Sequence, residues 1–200
     1  MYMNLLSHNS IARWAEDLDH VFTLADLKVA LKPDSDATLY RKVSKLVDDG
    51  SLIKAKRGIY ATPEATLITI SSRIEPSSYI STGTVLAANA LIGSVPARKV
   101  QAIKTGRPRT YRCELGTIEH LSISPKLFFG YTSEAGTRIA TPEKAFIDVC
   151  YFTYRGKRFS FDPGTDVDLE RLNTDLIREY LQAYDPRFIN FVKQNWAITC

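Results

Sequence analysis

Leu39, Val43, Leu46 and Val47 recur at i, i+4, i+7 and i+8, which predicts one apolar stripe on a helix. Opposite that stripe lie Thr38, Arg41, Ser44, Lys45 and Asp48, with Tyr40 and Lys42 on its flanks. Asp36 is the expected N-cap, and Gly50 suits the position just past the helix, where φ is positive. Upstream, Ile11, Trp14, Ala15 and Leu18 predict a helix over residues 8–18. Leu24, Leu27, Ala30 and Leu31 predict a second, opened by Thr23 with Asp26 three residues on and stopped by Pro33. Downstream, Leu52, Ile53 and Ala55 read as one strand. Ile59, Tyr60 and Ala61 read as its return, with Lys56-Arg57-Gly58 as the turn.

The pattern is weaker after Ala61. Leu67–Ile70 fits either a short strand or the start of a helix, inside an expected join over residues 63–77. Val85, Leu86, Ala88 and Leu91 predict a helix over residues 82–92. Val100, Ala102 and Ile103 favour a strand, Gly106-Arg107-Pro108 a turn, and Thr110–Cys113 the next strand. Gly116-Thr117 is expected as a further turn before a strand through Ile118, His120 and Leu121. Thr141-Pro142-Glu143-Lys144 opens a helix, with Thr141 as N-cap and Pro142 at the first helical position. Lys144 and Asp148 stand at i, i+4 on it, an ion pair expected to be worth a few tenths of a kcal/mol. Leu169, Leu172, Leu176, Ile177, Tyr180 and Leu181 predict one long amphipathic helix. Phe188, Ile189, Val192 and Trp196 predict a last helix after Pro186. The expected fold class is α+β: a first domain over residues 1–62, a linker over 63–77, and a C-terminal domain over 78–200 with a small antiparallel sheet and several helices.

Composition narrows the function classes. The 200 residues are 44% hydrophobic and 24% charged, with a formal net charge of +4. That balance describes a soluble chain mildly disposed toward nucleic acid. No run approaches the roughly 18 apolar residues of a membrane span, and the N-terminus lacks the pattern of a signal peptide, so a cytoplasmic location is expected. Cys113, Cys150 and Cys200 are distant from one another and from the three histidines, which speaks against a zinc site or a disulfide framework. Glu143, Lys144 and Asp148, or Asp162, Asp166 and Asp168, are the carboxylate sets an enzyme would draw on. Neither comes with a paired nucleophile, a glycine-rich phosphate loop or a metal-ligand spacing. The chain is therefore not expected to be an enzyme or to carry a cofactor or metal.

Helix, helix, turn, helix, hairpin is the order of a winged helix-turn-helix, and the third helix has a basic outer face. Duplex DNA is the expected partner. Thr38, Arg41, Ser44 and Lys45 are the candidates for groove contacts, and Tyr40 and Lys42 for phosphate. Lys54, Lys56 and Arg57 are the candidates on the hairpin. A solvated amphipathic helix followed by an ordinary hairpin would carry the same pattern. A second basic stretch holds Arg98, Lys99, Lys104, Arg107, Arg109 and Arg112 with no acidic residue among them. It reads either as another phosphate- or RNA-binding surface or as a strand pair whose charges protect a sheet edge.

Three segments together resemble the AbiEi family of antitoxins, from abortive-infection and toxin–antitoxin pairs. They are the N-terminal region ending Arg57-Gly58-Ile59-Tyr60-Ala61, the run from Tyr79-Ile80-Ser81 to Ala90-Leu91-Ile92-Gly93, and Ile139–Asp148 after Phe128-Phe129-Gly130. The last, with Thr141, Pro142, Glu143, Lys144 and Asp148, is the most specific. The resemblance covers roughly residues 10–152. A histidine often found near the Leu91 segment is replaced here by Asn89-Ala90. The resemblance implies an antitoxin that represses its own bicistronic operon by binding inverted repeats through the winged helix. It implies that the C-terminal domain counters a nucleotidyltransferase-like toxin without a stable complex. A direct protein-binding inhibitor of the toxin and a stand-alone DNA-binding regulator are the alternatives, and an enzyme acting on toxin or nucleic acid is a third.

Overall fold

A computed structural model describes residues 2–93 and 96–196, with side chains from residue 7 onward. The fold is mixed α+β, and the chain divides into two units. One comprises Met1–Ile74 and Tyr111–Ile118, the other Glu75–Thr110 and Glu119–Cys200.

The first unit runs α1 (Tyr2–Ala15), β1 (Val21–Thr23), α2 (Leu24–Leu31), α3 (Asp36–Asp48), β2 (Ile53–Lys56), β3 (Ile59–Ala61) and α4 (Leu67–Ile74). The first helix ends at Ala15, and Glu16–Leu18 continues as a 3-10 turn that closes on the left-handed Asp19. Trp14, expected in its apolar stripe, is 38% exposed. The Thr23/Asp26 capping box forms as the sequence predicts: Asp26 N–H donates to the Thr23 hydroxyl, and Thr23 N–H donates to the Asp26 carboxylate. Ser35, not Asp36, caps α3, because its hydroxyl accepts from Thr38 N–H. Asp36 instead lies inside the first turn and pairs with Lys28 of α2 at 2.7 Å.

The three strands form an antiparallel sheet in the order β1-β3-β2. Val21 pairs with Ala61, Phe22 with Tyr60 and Thr23 with Ile59. On the other side of β3 a bulge at Ala55 shifts the register between Lys54 and Lys56. Both faces of the sheet are covered. Phe22, Leu52 and Tyr60 join Leu27, Leu31, Leu39, Val43 and Leu46 in one core, while Val21, Ala55, Ile59 and Ala61 join Ala65, Ile70, Ile74 and Ile118 in another. Alternate residues of β1 and β3 thus face different cores, so neither strand carries a polar side to mark it.

The second core corrects the expected boundary. Residues 63–74 are not a linker: α4 packs on β1 and β3, and the unit runs to Ile74. Tyr111–Ile118, expected in the C-terminal domain, also belong to this unit, with Tyr111 and Leu115 packed beside the buried Ile118.

The second unit contains β4 (Tyr79–Ile80), α5 (Gly83–Ala88), β5 (Lys99–Lys104), β8 (Tyr131–Glu134), β9 (Thr137–Ala140), α6 (Pro142–Tyr154), α7 (Thr174–Leu181) and α8 (Pro186–Trp196). The hairpin β6 (Arg109–Cys113) and β7 (Gly116–Ser122) has its outer half in the first unit. Instead of a small antiparallel sheet there is a six-stranded mixed one, ordered β6-β7-β5-β4-β9-β8. Its parallel step joins β4 to β9, with Ile80 opposite Ile139. Gly116 and Thr117 are strand rather than turn, and the reversal falls at Glu114-Leu115. Helix α5 stops at Ala88, four residues short of the expected end, and Ala90 takes a positive φ of 53° in the turn that follows. The expected long helix over Leu169–Leu181 is broken. Leu169–Arg171 is a 3-10 turn, and Asn173 caps a separate α7 by accepting from Asp175 and Leu176 N–H.

Helix α6 is the centre of this unit. It packs against α5, α7, α8 and β9, and ten consecutive residues from Glu143 to Phe152 are buried. A helix covered on all sides has no polar face, so Glu143, Lys144 and Asp148 are carried inside.

Candidate functional site

The surface of α3 presents Tyr40, Arg41, Ser44, Lys45 and Asp48, all exposed, while Leu39, Val43 and Leu46 anchor the opposite side. Tyr40 is 57% exposed. Lys54 and Arg57 are exposed on the β2–β3 hairpin, whose turn is completed by Gly58 at φ 82°. Three of the nine candidates have work inside the fold. Thr38 belongs to the cap of α3, its hydroxyl accepting from Ser35 at 3.1 Å. Lys42 donates to the Leu31 carbonyl at 3.0 Å, which satisfies an orphan acceptor at the end of α2. Lys56 lies 5.7 Å from the Tyr111 ring centroid and reaches the Ile74 carbonyl at 3.5 Å.

Two of the six residues of the second basic stretch are held in ion pairs within the fold. Lys104 pairs with Glu75, and Lys99 with Glu119 at 3.0 Å. Arg98, Arg107 and Arg109 are exposed in the second unit, and Arg112 is exposed in the first. Arg109 and Arg112 lie on β6, the edge strand of the six-stranded sheet, where charges discourage pairing with another chain.

The Ile139–Asp148 motif builds a closed cluster. Lys144 and Asp148 are both 0% exposed and joined by an ion pair. The remaining N–H groups of Lys144 point at the Tyr79 hydroxyl at 3.0 Å and the Tyr184 hydroxyl at 3.3 Å. Asp148 also accepts from Tyr79 at 3.0 Å and Ser81 at 2.7 Å. Around the ammonium stand the rings of Phe129 at 5.3 Å and Tyr79 at 5.4 Å, and Tyr79 stacks on Tyr131. Gly130, at φ 74°, brings its backbone so close that a Cβ there would meet Lys144 Cγ at 2.9 Å. Burial pulls the Lys144 ammonium below the usual lysine range against the opposing pull of Asp148. Burial and the Asp148 charge push the Tyr79 and Tyr184 phenols far above theirs. Every donor of Lys144 has an acceptor and no side of it meets solvent, so the cluster holds elements together rather than presenting a reactive group.

The segments Tyr79-Ile80-Ser81, Phe128-Phe129-Gly130 and Ile139–Asp148 therefore converge on one ammonium. Tyr79 lies on β4 and Ser81 just past its end, where its N–H still donates to the Gln101 carbonyl of β5, and both side chains reach the same carboxylate. The sequence displays the i, i+4 pair and the Tyr79-Ile80-Ser81 segment but no spacing that joins them, and nothing in it marks Tyr184. Glu143 acts elsewhere. Its carboxylate accepts from Asn173 N–H at 3.1 Å, which fixes the start of α7.

Asp162 and Asp166 fold a local turn. Asp162 accepts from Gly164 and Thr165 N–H, and Asp166 accepts from Asp162 N–H. Among the described residues no group of three or more His, Cys, Asp or Glu side chains is arranged to hold a metal ion. Cys113 is half-buried and Cys150 is buried, its thiol raised by burial; Cys200 lies outside the described residues. Among the described residues no helix is long and apolar enough to cross a membrane.

No protein-family model matches the chain, and no curated protein matches it. The fold is similar to the crystal structure of the RV2827C protein from Mycobacterium tuberculosis, with a TM-score of 0.63 and 11% sequence identity. The match covers 94% of this chain and 75% of that one, and at this identity it speaks for the fold alone.

Proposed function

We propose that the first unit is a winged helix-turn-helix that binds duplex DNA, with α3 in the major groove and the β2–β3 hairpin as the wing. One observation carries this reading: α3 is anchored by Leu39, Val43 and Leu46 and turns Tyr40, Arg41, Ser44 and Lys45 outward. Further support comes from the order α1-β1-α2-α3-β2-β3 with the strands in the sequence β1-β3-β2, the order expected of a winged helix-turn-helix. Ser44 and Arg41 are the base-reading candidates, and Lys45, Lys54 and Arg57 the phosphate contacts.

We further propose that the protein is the antitoxin and autorepressor of a two-gene operon whose other product is a nucleotidyltransferase-like toxin. Support comes from the resemblance in three segments, two of which line the Lys144 cluster of the second unit. The first unit represses, and the second carries the protective activity.

The test uses the full chain. In a gel-shift titration against its own upstream DNA, Arg41→Ala with Lys45→Ala is expected to weaken binding by at least about 30-fold, each lost base or phosphate contact costing about 1–3 kcal/mol. The same variant is expected to protect cells from the adjacent-gene toxin as well as wild type does. Unchanged DNA affinity would refute the recognition-helix assignment. Stable co-purification of the toxin would replace the proposed mode of action with direct inhibition.

A further inference from the structure

A hydrogen-bonded chain in the second unit ends at a pocket that the DNA-binding proposal does not use. It begins at Thr82, a buried residue with φ 54° and ψ −141°. A β-branched residue in that region is strained, and such strain persists only where the surroundings over-determine it. The Thr82 hydroxyl donates to the Gln101 side-chain carbonyl at 2.8 Å. The Gln101 amide in turn donates to Glu119 at 2.8 Å. Glu119 then holds two ammonium groups, Lys99 at 3.0 Å and Lys157 at 2.5 Å. Burial alone would push the Glu119 carboxyl up; the bonds from Lys157, Gln101 and Lys99 outweigh it and bring it down to about 2.

One carboxylate fixing two lysines leaves a surplus positive charge in a set position. Thr84, Lys99, Gln101, Arg158, Phe159 and Phe161 line a cavity of about 60 Å³ at this place. A second, more open cavity of about 410 Å³ shares Arg158, Phe159 and Phe161, adds Lys157, whose ammonium stands 5.7 Å from the Phe159 ring centroid, and is also lined by Asp162 and Asp166, whose carboxylates accept from backbone N–H groups of their own turn. Arg158 is exposed and has no carboxylate partner among the described ion pairs, and the Phe159 and Phe161 rings lie 5.6 Å apart, both half-buried. The smaller cavity has volume for a small anion, and the larger one has several times that volume. A guanidinium and ammonium groups for an anion, beside half-exposed aromatic faces, are what a nucleotide requires.

We propose that this pair of cavities binds a nucleotide, its phosphate at Lys99 and Arg158 and its base against Phe159 and Phe161. The ligand is either a free nucleotide or the phosphorylated end of a single strand. The two sources share this chemistry.

The test is isothermal titration of the full-length protein with inorganic phosphate, each of the four ribonucleoside monophosphates, and a 5′-phosphorylated tetranucleotide. At least one monophosphate is expected to bind about tenfold or more tightly than inorganic phosphate, because stacking adds to the charge contact. Arg158→Glu, a change at an exposed position, and Phe159→Leu, which stays apolar and removes the π face, are each expected to weaken binding about tenfold. A tetranucleotide that binds more tightly than the monophosphates identifies a strand end as the ligand; equal affinity identifies the free nucleotide. Equal affinity for phosphate and monophosphates, or wild-type affinity in either variant, overturns the proposal.

Discussion

Lys144 and Asp148 differ in how they would tolerate loss of the other. Without Lys144, Asp148 keeps two hydroxyl donors, Tyr79 and Ser81. Without Asp148, Lys144 keeps only the oxygens of Tyr79 and Tyr184 and loses its countercharge in a site with no solvent. Removing one partner of a buried pair costs about 3–5 kcal/mol. Asp148→Ala is expected at that end, and Lys144→Met, which keeps the stem volume, at about 1–3 kcal/mol. The double variant should cost less than the two single costs added together, because each single change strands the other group. Urea unfolding at neutral pH measures all three. Equal costs for the two single variants would mean that the hydroxyl network does not compensate. The same i, i+4 pair on an exposed helix would be worth a few tenths of a kcal/mol, so burial changes its meaning by an order of magnitude.

At the level of elements, α4 separates what the sequence discloses from what it withholds. Ile70 is fully buried against β1 and β3, at a position expected to lie in a linker. Ile70→Ala is therefore expected to destabilise the protein by about 2–5 kcal/mol, read as a lower denaturant midpoint, where a linker residue would shift it hardly at all. The stripe of α3, the capping box of α2 and the cap of α6 are legible because each is a local pattern of spacing and polarity. Elements covered on two sides are not. β1 is three residues long and apolar on both faces, and α6 carries its charged residues inward. The break between Leu169–Arg171 and α7 is hidden because Asn173 reads as an ordinary polar residue until its side chain is seen capping Asp175 and Leu176. Among the candidate contacts, exposure of Arg41, Ser44 and Lys45 follows from helical phase. The internal bonds of Lys42 and Lys56 do not, because their acceptors are backbone carbonyls distant in sequence.

For the molecule as a whole, the division into two units does not follow the order of the chain. The polypeptide leaves the first unit after Ile74 and returns for Tyr111–Ile118. A fragment beginning at Glu75 would carry Ile118, Tyr111 and Leu115 without Ala65, Ile70 and Ile74, the residues that complete their core. Trypsin is expected to cut such a fragment at Arg112 faster than it cuts the full chain; equal rates would mean that the hairpin tip holds its shape alone. Separating the two proposed activities therefore calls for point variants rather than truncation. The same return sets a clock on synthesis. Ile74 and Ile118 are 44 residues apart, and at about 5–20 residues per second a ribosome takes about 2–9 s to cover that distance. Through that interval the face of the small sheet that buries Ile118 waits for its last apolar side chain, so a nascent chain stalled before residue 118 holds an N-terminal unit that is still incomplete.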